Sequence, residues 1–153
     1  MPVLVQEQTN RDTLTGALPI EILLVEDNQA DVVLTKAALH DAGLNYALHV
    51  ARDGEKALAF LRRKGRYSGM KQPDIVLLDL NLPRVDGHQV LAEMKADPAL
   101  KHIPVIVLSG SINDQDMRRA YEEQAAKYLV KPVAVKEYFA IIRTIREFCA
   151  AHR

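Results

Sequence analysis

Residues 74–87, with the sequence DIVLLDLNLPRVDG, decide the fold of this chain. The four apolar residues Ile75–Leu78 run without polar alternation into Asp79, which is typical of a short strand buried on both faces. Their number would also allow a segment of buried helix, but the turn-forming residues that follow, NLPRVDG, favour the strand. Asp79 is therefore predicted at the carboxyl end of a central strand, where open α/β sheets bind ligands. Taken alone, an Asp at a strand end more often only caps or begins a turn.

Length and composition limit the class of protein. The 153 residues are 48% hydrophobic and 26% charged with a formal net charge of zero, which is typical of one globular domain. Balanced charge gives no electrostatic support to nucleic-acid binding. Membrane association is not expected, since the apolar runs fall short of the roughly 18 residues of a membrane span and the N-terminus lacks a secretory signal pattern. The single cysteine, Cys149, fits a cytoplasmic protein.

Five apolar segments alternate with five helical patterns along the chain. Predicted strands cover residues 20–25, 46–51, 75–78, 105–108 and 126–130, and a helix is predicted after each of them. This alternation predicts an α/β fold with a parallel sheet and right-handed crossovers, in which the second strand is expected near an edge. Residues 1–19 are polar and aperiodic, so we predict a flexible N-terminal leader at 1–19 and one domain at 20–153.

The first helix is predicted to begin after an acidic pair, Glu26-Asp27. Asn28 is a favourable N-cap residue, and Asp31 stands at the third helical position, which is close to the pattern of a capping box. In that motif the two side chains satisfy backbone N–H groups at the start of their own helix.

Polar or charged residues follow four of the five predicted strands. They are Glu26-Asp27, Asp79, Ser109 and Lys131. Because the carboxyl ends of parallel strands meet at one edge of a sheet, we expect these residues to converge. Each residue alone also fits a structural role: acids suit the start of a helix, Ser109 could cap one, and Lys131 could be solvated.

Convergence of these groups would favour phosphoryl chemistry. Three clustered carboxylates repel one another unless a cation lies between them, and hard oxygen donors predict Mg²⁺. A carboxylate can attack phosphorus to form an acyl phosphate. A metal ion, a lysine ammonium and a hydroxyl would then neutralise charge on the transferring oxygens.

These residues resemble the receiver domain of two-component response regulators. The resemblance rests on Glu26-Asp27, on Asp79 in LLDLNLPRVDG, on Ser109 in VIVLSGS and on Lys131 in KYLVKP, and it covers about residues 20–150. It implies a five-stranded parallel sheet doubly wound by five helices, with the flavodoxin-like order 2-1-3-4-5. The segments GRYSGMKQP and DLNLPRVDGHQVL also resemble stand-alone regulators that pair with phytochrome kinases.

The resemblance implies that Asp79 accepts a phosphoryl group from a histidine kinase of the phytochrome type. Such a protein catalyses only its own phosphotransfer and dephosphorylation, so it is not expected to be an enzyme. Asp27, Asp79 and the backbone carbonyl of Asn81 would bind Mg²⁺, and Glu26 would act largely through water. Because the chain ends with the receiver, output through protein contacts rather than a DNA-binding domain is expected.

Further roles at the site are also implied by the resemblance. Ser109 and Lys131 would contact the phosphoryl group, and Ser109 stands where threonine is commoner in the family. Tyr128 would be the aromatic residue that turns inward on activation. The Lys131-Pro132 bond resembles the family's cis peptide, which only proline makes accessible at small energetic cost.

The last predicted helix is expected to carry a surface for self-association. At about 100° per residue from Val135, its core face would include Val135, Tyr138, Phe139, Ile142, Ile145 and Cys149. Ile141 and Phe148 would form a second seam beside Ile145, so the predicted homodimer interface is Ile141, Ile145 and Phe148. Phytochrome-associated receivers, which the chain resembles, commonly form symmetric dimers. Alternatively, a neighbouring helix covers the seam or it is left exposed.

Three other functions fit parts of the pattern. A hydrolase of the haloacid dehalogenase type uses a strand-end Asp but requires a second acid where this chain has Asn81. A flavodoxin-like FMN carrier would need a phosphate-binding loop where Glu26-Asp27 would repel phosphate. A receiver-fold binding module that acts without phosphorylation is the main alternative, although Asp27, Asp79 and Lys131 are all present.

Overall fold

A computed structural model describes residues 7–8, 18–110, 113–132 and 134–152. Five strands form the parallel part of the sheet: β1 Ile20–Val25, β2 Tyr46–Ala51, β3 Ile75–Leu78, β4 Val105–Ser109 and β5 Lys127–Val130. Five helices connect or follow them: α1 Gln29–Asp41, α2 Gly54–Leu61, α3 Gly87–Ala96, α4 Asp114–Glu122 and α5 Phe139–His152. Two short 3₁₀ helices cover Gly65–Tyr67 and Val135–Tyr138.

The parallel strands lie in the order β2-β1-β3-β4-β5, which confirms the predicted fold class and the expected position of β2 near an edge of the sheet. A two-residue strand, Glu7–Gln8, pairs antiparallel with β2 and lies beyond it at the edge of the sheet. This pairing was not predicted. The rest of the predicted leader, apart from residues 18–19, lies outside the described residues, so its flexibility stays a prediction.

Both faces of the sheet are covered, and β3 shows why its sequence is uniformly apolar. Ile75 and Leu77 pack into a core with residues of α1 and α5, while Val76 and Leu78 pack into a second core with residues of α2 and α3. All four side chains are fully buried. A continuous apolar run is stable in this position because neither face of the strand meets water. Within the described residues, no helix combines the length and apolarity that crossing a membrane requires.

The face that α5 and the 3₁₀ helix before it bury agrees with the predicted core face at Tyr138, Ile142, Ile145 and Cys149 but differs from it at Phe139 and Ile141. Ile141 is 2% exposed and Ile145 0%, and both lie in the core between α5 and the sheet. Phe148 is partly buried against the same core, whereas Phe139, which was assigned to the core face, is 70% exposed. The predicted interface is therefore wrong for Ile141 and Ile145. Residues 141, 145 and 148 follow the spacing of one helical stripe, and that stripe faces the sheet.

Candidate functional site

Backbone pairing at the carboxyl edge of the sheet brings the predicted strand-end residues together. Val25 of β1 lies opposite Leu78 of β3, so the residues that follow them, Glu26 and Asp79, emerge at the same level. The N–H of Asp79 donates to the carbonyl of Val25 at 3.0 Å. On the other side, the N–H of Lys131 donates to the carbonyl of Ser109 at 2.8 Å.

Three carboxylates form a cluster at this edge. One oxygen each from Glu26, Asp27 and Asp79 lies within 4.8 Å of the other two. Glu26 and Asp79 are buried, while Asp27 is exposed and keeps the cluster open to water. Hard oxygen donors at this separation, with an open side for water ligands, fit a divalent cation such as Mg²⁺.

The loop after β3 folds back onto the acceptor carboxylate. The backbone N–H of Asn81 donates to Oδ1 of Asp79 at 3.0 Å, which orients the carboxylate and places Asn81 beside the acidic cluster. Asn81 was predicted to lie beside the metal-binding carboxylates, and the structure places it there. A metal bond from its carbonyl stays a prediction.

Lys131 is the cationic centre of the site. Its Nζ lies 2.7 Å from Oε1 of Glu26, 2.8 Å from Oδ2 of Asp31 and 3.0 Å from Oδ2 of Asp79. An ammonium has three N–H donors, so each can bond one of these carboxylates. Asp31 was not predicted as a site residue. It lies in the first turn of α1, where the sequence indicated only a capping role.

Carboxylates outnumber the single lysine ammonium at the site, and the pKa values of Glu26 and Lys131 are shifted there. Burial raises the pKa of Glu26 to about 7, and repulsion from Asp79 adds to the effect, although Lys131 opposes it. Burial also disfavours the Lys131 ammonium, but bonds to Asp31, Glu26 and Asp79 outweigh it and raise the pKa of Lys131. One lysine is shared among several acids, so the site retains negative charge that a bound cation would neutralise.

The remaining predicted residues lie on β4 and β5. Ser109 ends β4 and is 1% exposed, and Tyr128 on β5 is 6% exposed. The Tyr128 ring already lies in the core on the α4 side, and its backbone N–H donates to Oη of Tyr121 at 3.0 Å. Its movement on activation stays a prediction.

The expected cis bond between Lys131 and Pro132 is not found, because the described residues contain no cis peptide bond. In an X–Pro bond the two isomers differ by only about 0.5–1 kcal/mol. The Lys131-Pro132 dipeptide therefore does not by itself select the cis form.

Helix α3 begins directly against the acceptor residue. The N–H of Gly87 donates to the carbonyl of Leu80 at 3.0 Å, and Oδ1 of Asp86 caps the helix by accepting from the N–H of Gln89 at 3.0 Å. A Cβ on Gly87 would lie 2.5 Å from the carbonyl oxygen of Asp79. Gly87 therefore sets how closely α3 approaches the site, a role that the sequence pattern did not indicate.

A buried histidine joins α3 to α4 beside this loop. Nδ1 of His88 lies 2.6 Å from Oε1 of Glu123, and its Nε2 lies 4.0 Å from Oδ1 of Asp116. A pocket of about 330 Å³ opens next to it, lined by Leu80, Asn81, Leu82, Asp86, His88 and Asp116. The His88 side chain thus connects α3 with α4 and its C-cap residue Glu123.

Comparison with known proteins reveals close relatives. Residues 22–143 match the model of the response regulator receiver domain. The chain is 43% identical over 130 residues to the response regulator Rcp1 of Synechocystis sp., and this alignment covers 85% of the chain and 88% of Rcp1. It is 41% identical over 137 residues to the probable methanogenesis regulatory protein FilR2 of Methanothrix harundinacea, covering 90% and 88% of the two chains.

Solved structures agree with these relatives. The phosphorylated cyanobacterial phytochrome response regulator RcpA matches with a TM-score of 0.80 and 43% identity, over 88% of this chain and 96% of that chain. The Mn²⁺-bound form of Rcp1 matches with a TM-score of 0.77 and 43% identity, over 85% of this chain and 94% of that chain. The fold and the strand-end site define a doubly wound α/β protein of the receiver type. The chain belongs to the response regulator receiver domain family and is related to the phytochrome response regulators.

Proposed function

We propose that Asp79 accepts a phosphoryl group from a histidine kinase in a Mg²⁺-dependent reaction and that the chain works as a phosphorylation switch. The observation that carries the proposal is the position of Asp79, which lies 3.0 Å from the Lys131 ammonium and within the cluster formed with Glu26 and Asp27. Glu26 makes both of these contacts as well, but Asp79 follows the central strand β3, and its carboxylate also accepts the N–H of Asn81 in the loop beyond it.

Each residue has a distinct part in the proposed reaction. An Oδ atom of Asp79 attacks phosphorus, forming an acyl phosphate as the bond from phosphorus to the kinase histidine breaks. Lys131 donates hydrogen bonds that stabilise negative charge on the phosphoryl oxygens, and the buried Ser109 would contribute its hydroxyl. Glu26, Asp27, Asp79 and the Asn81 carbonyl would hold Mg²⁺, which supplies further charge neutralisation when bound.

The relatives support a particular type of partner. RcpA is a cyanobacterial phytochrome response regulator, and the chain aligns with almost all of it. We therefore propose a phytochrome-type histidine kinase as the phosphoryl donor, with the exchange taking place in the cytoplasm and output through protein contacts without nucleic acid. Homodimerisation also stays a prediction. Of the three interface residues expected, Phe148 alone is not fully buried, so a dimer would have to use other residues.

Labelling with a small phosphoryl donor tests the proposal. The chain is incubated with acetyl phosphate and Mg²⁺, and the mass increase of one phosphoryl group is measured by intact-protein mass spectrometry. Asp79→Asn should abolish the increase, while Asp41→Asn, an exposed acid at the far end of α1, should not change it. Equal labelling of wild type and Asp79→Asn would refute the assignment.

The main alternative, a receiver-fold module that acts without phosphorylation, makes a different prediction in the same experiment. In that case acetyl phosphate would label neither the wild type nor Asp79→Asn, and neither protein would bind beryllofluoride, a stable analogue of the phosphoryl group. A wild type that binds beryllofluoride only when Mg²⁺ is present, and an Asp79→Asn variant that does not bind it, would support the switch.

A further inference from the structure

Asp31 makes a contact at the site that the start of its own helix does not require. It lies in the first turn of α1, and its Oδ2 is 2.8 Å from Nζ of Lys131, a residue 100 positions later in the chain. The Asp31 side chain is 23% exposed and that of Lys131 is 15% exposed, so water screens this ion pair only in part.

The sequence pattern assigns Asp31 to a capping box, but the hydrogen bonds show a different arrangement. Asn28 caps α1, because its Oδ1 accepts from the N–H of Asp31 at 3.1 Å. The reciprocal bond of a capping box would run from the Asn28 N–H to the Asp31 carboxylate. That N–H instead donates to Oε2 of Glu26 at 3.2 Å. The Asp31 carboxylate is consequently directed to Lys131.

The backbone of Asp31 is held on both sides. Its N–H bonds the N-cap side chain, and its carbonyl accepts from Oγ1 of Thr35 at 2.8 Å. Thr35 is 3% exposed, which shields this second bond from water. A carboxylate on such an element is a fixed point for a lysine, whose four-carbon stem is otherwise flexible.

The other two partners of Lys131 have competing uses. Glu26 and Asp79 belong to the carboxylate cluster that fits a divalent cation, and Asp79 is also the proposed phosphoryl acceptor. When these oxygens are engaged elsewhere, their bonds to Lys131 weaken. Asp31 lies outside that cluster, so its bond to the lysine can persist in every state of the site.

We propose that Asp31 is a positioning residue that keeps the Lys131 ammonium beside the acceptor while the other partners of the lysine change. One N–H of Lys131 stays bonded to Asp31, and the other two remain directed at Asp79 or at the phosphoryl oxygens that replace it. This inference rests on the proposed phosphoacceptor function, because it concerns the lysine that would contact the transferred group.

Phosphorylation kinetics and analogue binding test the inference. Initial rates of labelling by acetyl phosphate are measured at saturating Mg²⁺ over a range of donor concentrations, and beryllofluoride affinity is measured by calorimetry. Asp31→Ala should lower the maximal rate and the beryllofluoride affinity by about tenfold, the effect expected for one hydrogen bond between charged groups. The KM for acetyl phosphate should hardly change, since Asp31 does not line the acceptor.

Two further variants separate positioning from a loss of charge. Asp31→Asn keeps an oxygen that can accept from Lys131, so it should recover part of the rate. Asp41→Ala removes the same charge from the exposed end of α1 and should behave as wild type. If Asp41→Ala reduced the rate as much as Asp31→Ala, a general charge effect would explain the data and the inference would fail.

A double-mutant cycle gives the decisive comparison. If Asp31 acts through Lys131, Asp31→Ala should cause no further loss of beryllofluoride affinity when Lys131 is already Ala. A tenfold loss in both backgrounds, or no loss in either, would overturn the positioning role. The two proposals fail in different ways. An unlabelled wild type would refute both the phosphoacceptor function of Asp79 and the positioning role of Asp31. A labelled wild type with an equally active Asp31→Ala would refute only the positioning role.

Discussion

Gly87→Ala tests whether close packing of α3 controls the acceptor. The added Cβ would lie 2.5 Å from the carbonyl oxygen of Asp79 and closer still to the Cα of Leu80. Ordinary van der Waals contact begins near 3.4 Å. Because both obstructing groups are backbone, rotation of a side chain cannot relieve the overlap, and either α3 or the Asp79–Leu80 backbone must move by about 1 Å.

This displacement should have two measurable effects. Overpacking of this kind typically costs about 1–3 kcal/mol of unfolding free energy. For a chain of this size, a loss of about 2 kcal/mol lowers the melting temperature by roughly 4–8 °C. A shift of about 1 Å at a reacting group can reduce a rate by up to about 100-fold, so labelling of Asp79 by acetyl phosphate should slow far more than stability alone explains.

The assay combines calorimetric melting with timed labelling at a temperature where both proteins are folded. Gly69→Ala is the matched control, because nothing lies within 4 Å of a Cβ at that position and its backbone does not have a positive φ. That variant should melt and label as wild type does, or melt slightly higher. A Gly87→Ala protein with unchanged melting and labelling would show that the contact between α3 and Asp79 does not constrain the acceptor.

Further predictions concern the charged site and α5. The pKa of Glu26 is raised to about 7 from 4.5, so between these pH values the folded state holds a proton that the unfolded state has lost. Metal-free stability, measured by urea denaturation, should therefore fall by roughly 3 kcal/mol as pH rises through this window, and Glu26→Gln should flatten the profile. Asp27→Ala should remove the rise in melting temperature that Mg²⁺ causes in wild type, and an equal rise in both would place the metal elsewhere. Ile141→Glu should prevent stable folding, because an unpaired charge would enter the core, whereas Phe139→Glu should leave the chain folded. Circular dichroism distinguishes these outcomes, and a stable Ile141→Glu protein would contradict the observed packing of α5.

Much of the fold and part of the site could be predicted from short patterns in the sequence. The apolar run of β3 indicated a strand covered on both faces, because four consecutive apolar residues are stable in a sheet only when both faces are dry. The alternation of five such apolar segments with helical segments implied a parallel sheet. In such a sheet all carboxyl ends share one edge, so Asp79 and Lys131 could be expected to meet there before any contact was known.

The tertiary structure alone decided which partners these residues have. Asp31 has the sequence context of a capping residue, yet its carboxylate bonds Lys131, 100 positions away. The apolar residues of α5 allow more than one choice of face, and the position of the sheet determines that Ile141 is buried and Phe139 exposed. Gly87 gives no signal of its contact with Asp79. The physical reason is range: local sequence sets backbone preferences over a few residues, whereas side-chain contacts depend on how distant elements pack together.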